Sequence, residues 1–190
     1  MIVRKIKDAV LAFWMVERFI RLHIRVARAF YFKGGLLGRI TCYLFDRFLL
    51  ILYGIDLHSP SIDVASLSIA HPDSVMLGGN GIVSTGRLAI MAGVKFVGRS
   101  PRDPDYLRLH REGRVFSFGD NVVIGANSVV VGPIDICNDV VIAAMSLVNR
   151  SITEPGVYAG IPAIRIKTEV TDEWVAHLPT PSRSDPIWPG

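Results

Sequence analysis

Apolar residues recur at every sixth position through Phe118, Ile124, Val130, Ile136, Ile142 and Val148, and four places after each stand Val122, Ser128, Ile134, Val140, Ser146 and Ile152. An α-helix repeats near 3.6 residues and a strand at two, so neither explains this period. A six-residue repeat is that of a solenoid in which each unit forms one flat side of a prism and turns its aliphatic residue inward. Gly119-Asp120-Asn121, Gly125-Ala126-Asn127 and Asn138-Asp139 suit the corners, where positive φ is needed. A second run, Met76, Ile82, Leu88 and Val94, carries Asn80, Gly86, Ala92 and Gly98 at the small position. The prediction is a mainly β fold, a parallel β-helix of hexapeptide repeats, preceded by an α-helical segment.

The helical segment follows from a different spacing. Val10, Leu11, Trp14, Met15, Phe19, Leu22, Val26 and Phe30 alternate with basic residues at helical intervals, and Gly34-Gly35 breaks the run before a second stretch from Leu36 to Tyr53. Glu17, Arg18, Arg21, Arg25, Asp46 and Arg47 interrupt the apolar character, so neither stretch is predicted to span a membrane. No signal-peptide pattern is expected either. Two roles fit: packing of the apolar face against the solenoid or a neighbouring subunit, or peripheral contact with an anionic membrane.

Charge sharpens this division. The chain carries a net +4, yet residues 1–54 hold ten Lys and Arg against Asp8, Glu17 and Asp46, so the remainder is slightly acidic. Aromatics interleave with Arg there, but no nucleic-acid-binding motif accompanies them, and no nucleic-acid partner is expected. The organisation predicted is a basic amphipathic helical segment (1–54), the β-helix (55–167) with a charged excursion loop at 98–116, and a proline-containing extension (168–190) lying extended on a surface or mobile. Cys42 and Cys137 sit in apolar surroundings without a partner at metal spacing and read as core residues of a reducing compartment. The five histidines show no close pair at ligand spacing, and no metal is expected.

The hexads, IGANSVVVG at 124–132, AGIPA at 159–163, YGIDLH at 53–58 and AHP at 70–72 together resemble the left-handed β-helix acyltransferases, within them the serine acetyltransferases and the O-acetyltransferases of polysaccharide gene clusters. The likeness covers about residues 50–167. It alone implies the left hand of the coil, since parallel crossovers are otherwise nearly always right-handed. It also implies acetyl-CoA as co-substrate and a homotrimer with sites between subunits.

Acetyl transfer to a hydroxyl needs a base for its proton and a donor for the oxyanion that forms. In the resembled family the catalytic His belongs to a segment like IAHP and pairs with an Asp fifteen residues earlier, which matches His71 and Asp56. A carboxylate behind an imidazole fixes its tautomer and stabilises the imidazolium. His58 and His110 are candidates only for substrate contact. The same likeness places Gly98 at the thioester end of the coenzyme, Ala126 and Ala144 along its pantetheine arm, and Arg165 and Lys167 near its phosphates. Arg114 matches an acceptor contact.

Two departures bear on the acceptor. Serine acetyltransferases carry an acidic residue directly before the catalytic His, where this chain has Ala70, and a His after the Arg, where it has Val115. A site lacking those partners grips a zwitterion poorly. The expectation is therefore an acetyl-CoA-dependent O-acetyltransferase acting on a sugar or glycan hydroxyl in surface polysaccharide biosynthesis, cytoplasmic or at the inner face of the membrane. The alternatives are a serine O-acetyltransferase of cysteine biosynthesis and a non-catalytic hexapeptide scaffold.

Overall fold

The computed structural model describes residues 16–100 and 102–180. Helix α1 (Val16–Lys33) and helix α2 (Gly35–Tyr53) form an antiparallel pair closed at Gly34. Gly38 makes the tight return possible, because a Cβ there would run into the carbonyl oxygen of Phe30. Helix α2 stops at Gly54, whose φ of 64° and N–H bond to the Leu50 carbonyl are those of a left-handed cap. Val10, Leu11, Trp14 and Met15 lie outside the described residues, as do Pro181, Pro186 and Pro189 of the extension.

The remaining chain winds as a prism of parallel strands. The first face stacks β1 (Asp56–Leu57), β3 (Met76–Gly78), β5 (Lys95–Gly98), β8 (Val129–Gly132) and β11 (Leu147–Val148). Strands β2 (Ile62–Ile69) and β4 (Ile82–Ile90) are long enough to turn a corner, and their register shifts between Val64 and Ser66. Their first halves build the second face with β6 (Phe116–Phe118) and β9 (Ile134–Ile136). Their second halves build the third with β7 (Val122–Ile124), β10 (Val140–Ile142), β12 (Gly156–Ala159) and the antiparallel β13 (Ile164–Lys167). The architecture is the expected one, mainly β with N-terminal helices.

The six-residue repeat maps onto the interior. Ile124, Val130, Ile142, Val122 and Val140 are fully buried, and Ser128 and Ser146 fill the same core positions. These serines are small for a reason. Ser128 Oγ donates to the Ala143 carbonyl (3.0 Å) and accepts from Ser146 N–H (3.3 Å), while Ser146 Oγ accepts from Gly160 N–H (3.2 Å), tying successive coils at one corner.

Several expectations change. Met76 is only half-buried; Val75 and Leu77 point inward instead, because Met76 pairs with exposed Lys95 and so lies one place out of the Ile82–Leu88–Val94 register. Positive φ at the corners falls to Asn121, Asn127 and Asp139, whereas Gly119 and Gly125 are needed for close approach of coils. A Cβ on Gly125 would lie 2.6 Å from Ala144 N. The excursion is not wholly loop but contains helix α3 (Pro104–Arg111), capped by Asp103, whose side chain accepts from Asp105 N–H. The extension lies over the third face at residues 172–178. It makes turns that bury Val175 and Leu178 against Ala89 and Val123 of the third face.

Helix α1 lies between the coil and α2. Its Ile20 and Ile24 join the main core, and Arg21 Nη1 donates to the Leu67 carbonyl of β2. No described helix is long and apolar enough to cross a membrane.

Candidate functional site

The corner between the third and first faces is a continuous edge. Backbone bonds stack it coil by coil: Gly93 N–H to the Asp73 carbonyl, Asn127 N–H to Ala92, Met145 N–H to Ala126, and Leu147 N–H to Gly160. His71 stands at its lower end, exposed, with φ of 50°. Such a conformation is uncommon for a residue with a Cβ and is held here by the turn between β2 and β3. Ala126 is half-buried and Ala144 exposed on the same edge. Three residues drawn from separate motifs are thus brought into one line.

Asp56 lies close by. Its N–H donates to the Val75 carbonyl (2.9 Å), and a Cβ on Gly54 would come within 3.2 Å of Ser74 N. The strand carrying Asp56 therefore starts beside the turn that carries His71. No hydrogen bond or ion pair joins the two side chains, and His71 has no side-chain partner among the described residues.

Gly98 and Arg114 stand on a different corner, between the first and second faces. Gly98 lies under the Tyr106 ring, which a Cβ would strike at 2.7 Å. Tyr106 donates to Asn80 Oδ1 (2.9 Å) and stacks on His110 at 5.7 Å, so α3 is pinned onto the coil and His110 is not a free loop residue. Arg114 is exposed and borders a shallow pocket of about 250 Å3 with Asp63, Ser84, Thr85 and Ser117. From Ala92 to Gly98 the first face is six residues wide, roughly 15–20 Å of extended chain. One chain alone does not bring Gly98 and Arg114 to His71.

Val115, which stands where the resembled family has a His, is fully buried just before β6, beside Gly132. A His there would meet the apolar interior. Arg165 and Lys167 lie on β13, above the last coil; Arg165 Nη1 is paired to Glu154 Oε2 at 2.6 Å, and both line a pocket of about 480 Å3.

A second constellation lay hidden in the sequence. His23 and His58, far apart in the chain, both meet Asp46: His23 Nε2 is 3.4 Å from Oδ1 and His58 Nδ1 is 3.7 Å from Oδ2. Ser59 donates its N–H to Oδ2 (2.9 Å) and its hydroxyl to Oδ1 (2.5 Å). Burial alone would raise the Asp46 pKa, but these partners outweigh it and hold the carboxyl well below its usual range. Cys42 Sγ–H points to the same carboxylate, and burial first, then Asp46, pushes its thiol up to about 12, so it is inert core. No group of three His, Cys, Asp or Glu side chains among the described residues is placed to hold a metal. The signal for this cluster was Asp46 itself, a lone acid on an apolar helix, which has to find donors when buried.

No family model matches the chain. Among solved structures it is similar to serine acetyltransferase from Brucella abortus, with a TM-score of 0.66 and 26% identity over 81% of this chain and 58% of that one. The same enzyme in complex with coenzyme A gives 0.59 at 22% identity, over 81% and 57%. Soybean serine acetyltransferase complexed with serine gives 0.60 at 21%, over 76% and 54%. The chain thus spans under three-fifths of the length of these proteins. With parallel strands wound into three stacked faces and N-terminal helices against the first coil, it has the left-handed β-helix fold of the hexapeptide-repeat acetyltransferases.

Proposed function

We propose that the chain is a coenzyme A-dependent O-acetyltransferase. The observation that carries this is the single edge on which His71, Ala126 and Ala144 align, beside the strand of Asp56. The likeness to a serine acetyltransferase, one structure of which contains coenzyme A, supports the same reading. Acetyl-CoA lies with its pantetheine arm along Ala126 and Ala144, where larger side chains would obstruct it. Lys167 and Arg165, the latter exchanging Glu154 for phosphate, take the nucleotide end.

In this reading His71 accepts the proton of the acceptor hydroxyl as its oxygen attacks the thioester carbonyl. The tetrahedral oxyanion collapses, the C–S bond breaks, and the imidazolium returns the proton to the departing thiolate. Asp56 positions the imidazole once it turns inward and stabilises its charged form. Because Gly98 and Arg114 occupy the opposite corner, three copies complete the sites, each joining the His71 edge of one chain to the excursion edge of its neighbour. The expected solution mass is three times the 20.9 kDa chain.

Serine is the acceptor favoured by the solved proteins this chain resembles, which are serine acetyltransferases. The earlier expectation of a sugar is kept as the second reading on one observation: Ala70, directly before His71, offers no carboxylate for an amino group. Both acceptors supplied together with acetyl-CoA, and products identified by mass spectrometry, decide between them. Dominant O-acetylserine supports the first reading and an acetylated sugar the second. Acetylation of neither, across a panel of hydroxyl acceptors, would leave a scaffold.

A further inference from the structure

Helix α2 buries Gly38, Cys42, Asp46 and Leu49 along one seam against α1 and the first coil. The opposite side is mostly apolar. Leu36, Leu37, Ile40, Leu44, Phe48 and Ile51 project there, with Leu36, Leu37 and Ile51 at least 75% exposed. At 100° per residue these six fall within one sector of about 120°, which Arg47 enters near one edge, and an exposed apolar stripe of this kind is a candidate interaction surface.

The surrounding charge selects the occupant. Arg18, Arg25, Lys33, Arg39 and Arg47 are exposed on the helix pair, while Asp46 is buried and Glu17 is engaged with Ser68 and Arg21. Arg47 lies 4.9 Å over Tyr43 and Arg39 5.5 Å over Tyr31, so one cation within the edge of the apolar stripe and one beyond it rest on aromatic supports. A second copy laid on this face would set cations against cations. Residues 1–15 bring Arg4, Lys5 and Lys7 against Asp8 and so carry the same sign. The missing counter-charge has to come from elsewhere.

We propose that the outer face of α2 docks in the plane of an anionic lipid bilayer, with the leucines, Ile40, Phe48 and Ile51 in the acyl boundary and the arginines at the headgroup phosphates. No described helix is long and apolar enough to cross a membrane, and α2, held by its seam against α1 and the first coil, lies flat. This goes beyond the acetyl-transfer reading and does not depend on it. It brings the coil, and whatever acceptor it uses, to a membrane surface.

The test uses the full chain with vesicles of phosphatidylcholine alone and with one-third phosphatidylglycerol, read by co-sedimentation, alongside light scattering for solution mass. Binding to the anionic vesicles, weaker on neutral ones, weakened by high salt and reduced roughly tenfold or more in Leu37→Glu/Leu44→Glu, supports the proposal. Both leucines are exposed, so the variant keeps its fold, checked by circular dichroism. Absence of binding, or equal binding by the variant, overturns it. A solution mass that drops in the variant overturns it in favour of a second copy as the occupant.

Discussion

Replacing Asp46 by Asn should loosen the joint between the helices and the first coil. The carboxylate accepts two bonds from Ser59, at 2.9 Å and 2.5 Å, and faces both His23 and His58, with its side chain only 5% exposed. Hydrogen bonds to a buried charge contribute about 1.5–3 kcal/mol each. Asn keeps one acceptor oxygen but turns an amide N–H2 toward donors, so the net loss should be about 2–4 kcal/mol. For a chain of this size that lowers Tm by roughly 5–15 °C.

The pH dependence has a defined sign. The folded pKa of Asp46 is depressed from an ordinary value of 3.8, so its stabilisation is present above that value and is lost as pH falls through the folded one. Thermal unfolding by circular dichroism, run from pH 7 down to about 2, should therefore show wild type and variant converging below roughly pH 4. A variant within about 2 °C of wild type at pH 7, or parallel acid slopes, would refute the reasoning. Ser59 lies three residues after Asp56, so the same variant should also lower turnover by displacing that strand.

Further outcomes follow from the edge. Ala126→Trp should abolish calorimetric binding of acetyl-CoA while circular dichroism stays unchanged, because an indole would fill the line between the turns at Ala92 and Ala144. Met145 holds φ of 62° at the corner position that Gly93 and Asn127 occupy in the coils below, so Met145→Asn should raise stability by about 0.5–1 kcal/mol in thermal melts. Ser128→Ala should cost about 1–3 kcal/mol, because it strands the buried Ser146 N–H and the Ala143 carbonyl; an unchanged Tm would show the serine ladder to be dispensable.

The repeat made the coil legible because interior residues in a solenoid recur at fixed spacing and Ile124, Val130 and Ile142 need no partner beyond the next coil. Ala126, Ala144 and His71 were legible as members of motifs, and their common edge follows once the period is known. What spacing could not tell was depth and distance. Val115 stands by count where the resembled family has a His, yet its side chain is buried just before β6. Met76 fits the period, but the register slips between it and Ile82, so it stacks on exposed Lys95 and not on Val94. Asp46, His23, His58 and Ser59 are brought together only by the return of α2 at Gly38, a tertiary event with no local signature. Residues on opposite corners, such as Gly98 and His71, show in sequence no sign of belonging to different edges.

The most direct test of His71 as the base of a coenzyme A-dependent acetyl transfer is its removal. Release of free thiol from acetyl-CoA in the presence of serine, and separately of sugar acceptors, should be followed for the wild type and for His71→Ala, with coenzyme binding measured in parallel. The wild type should transfer acetyl and the variant should lose roughly a hundredfold or more, with coenzyme binding retained. A variant that keeps the wild-type rate would contradict it.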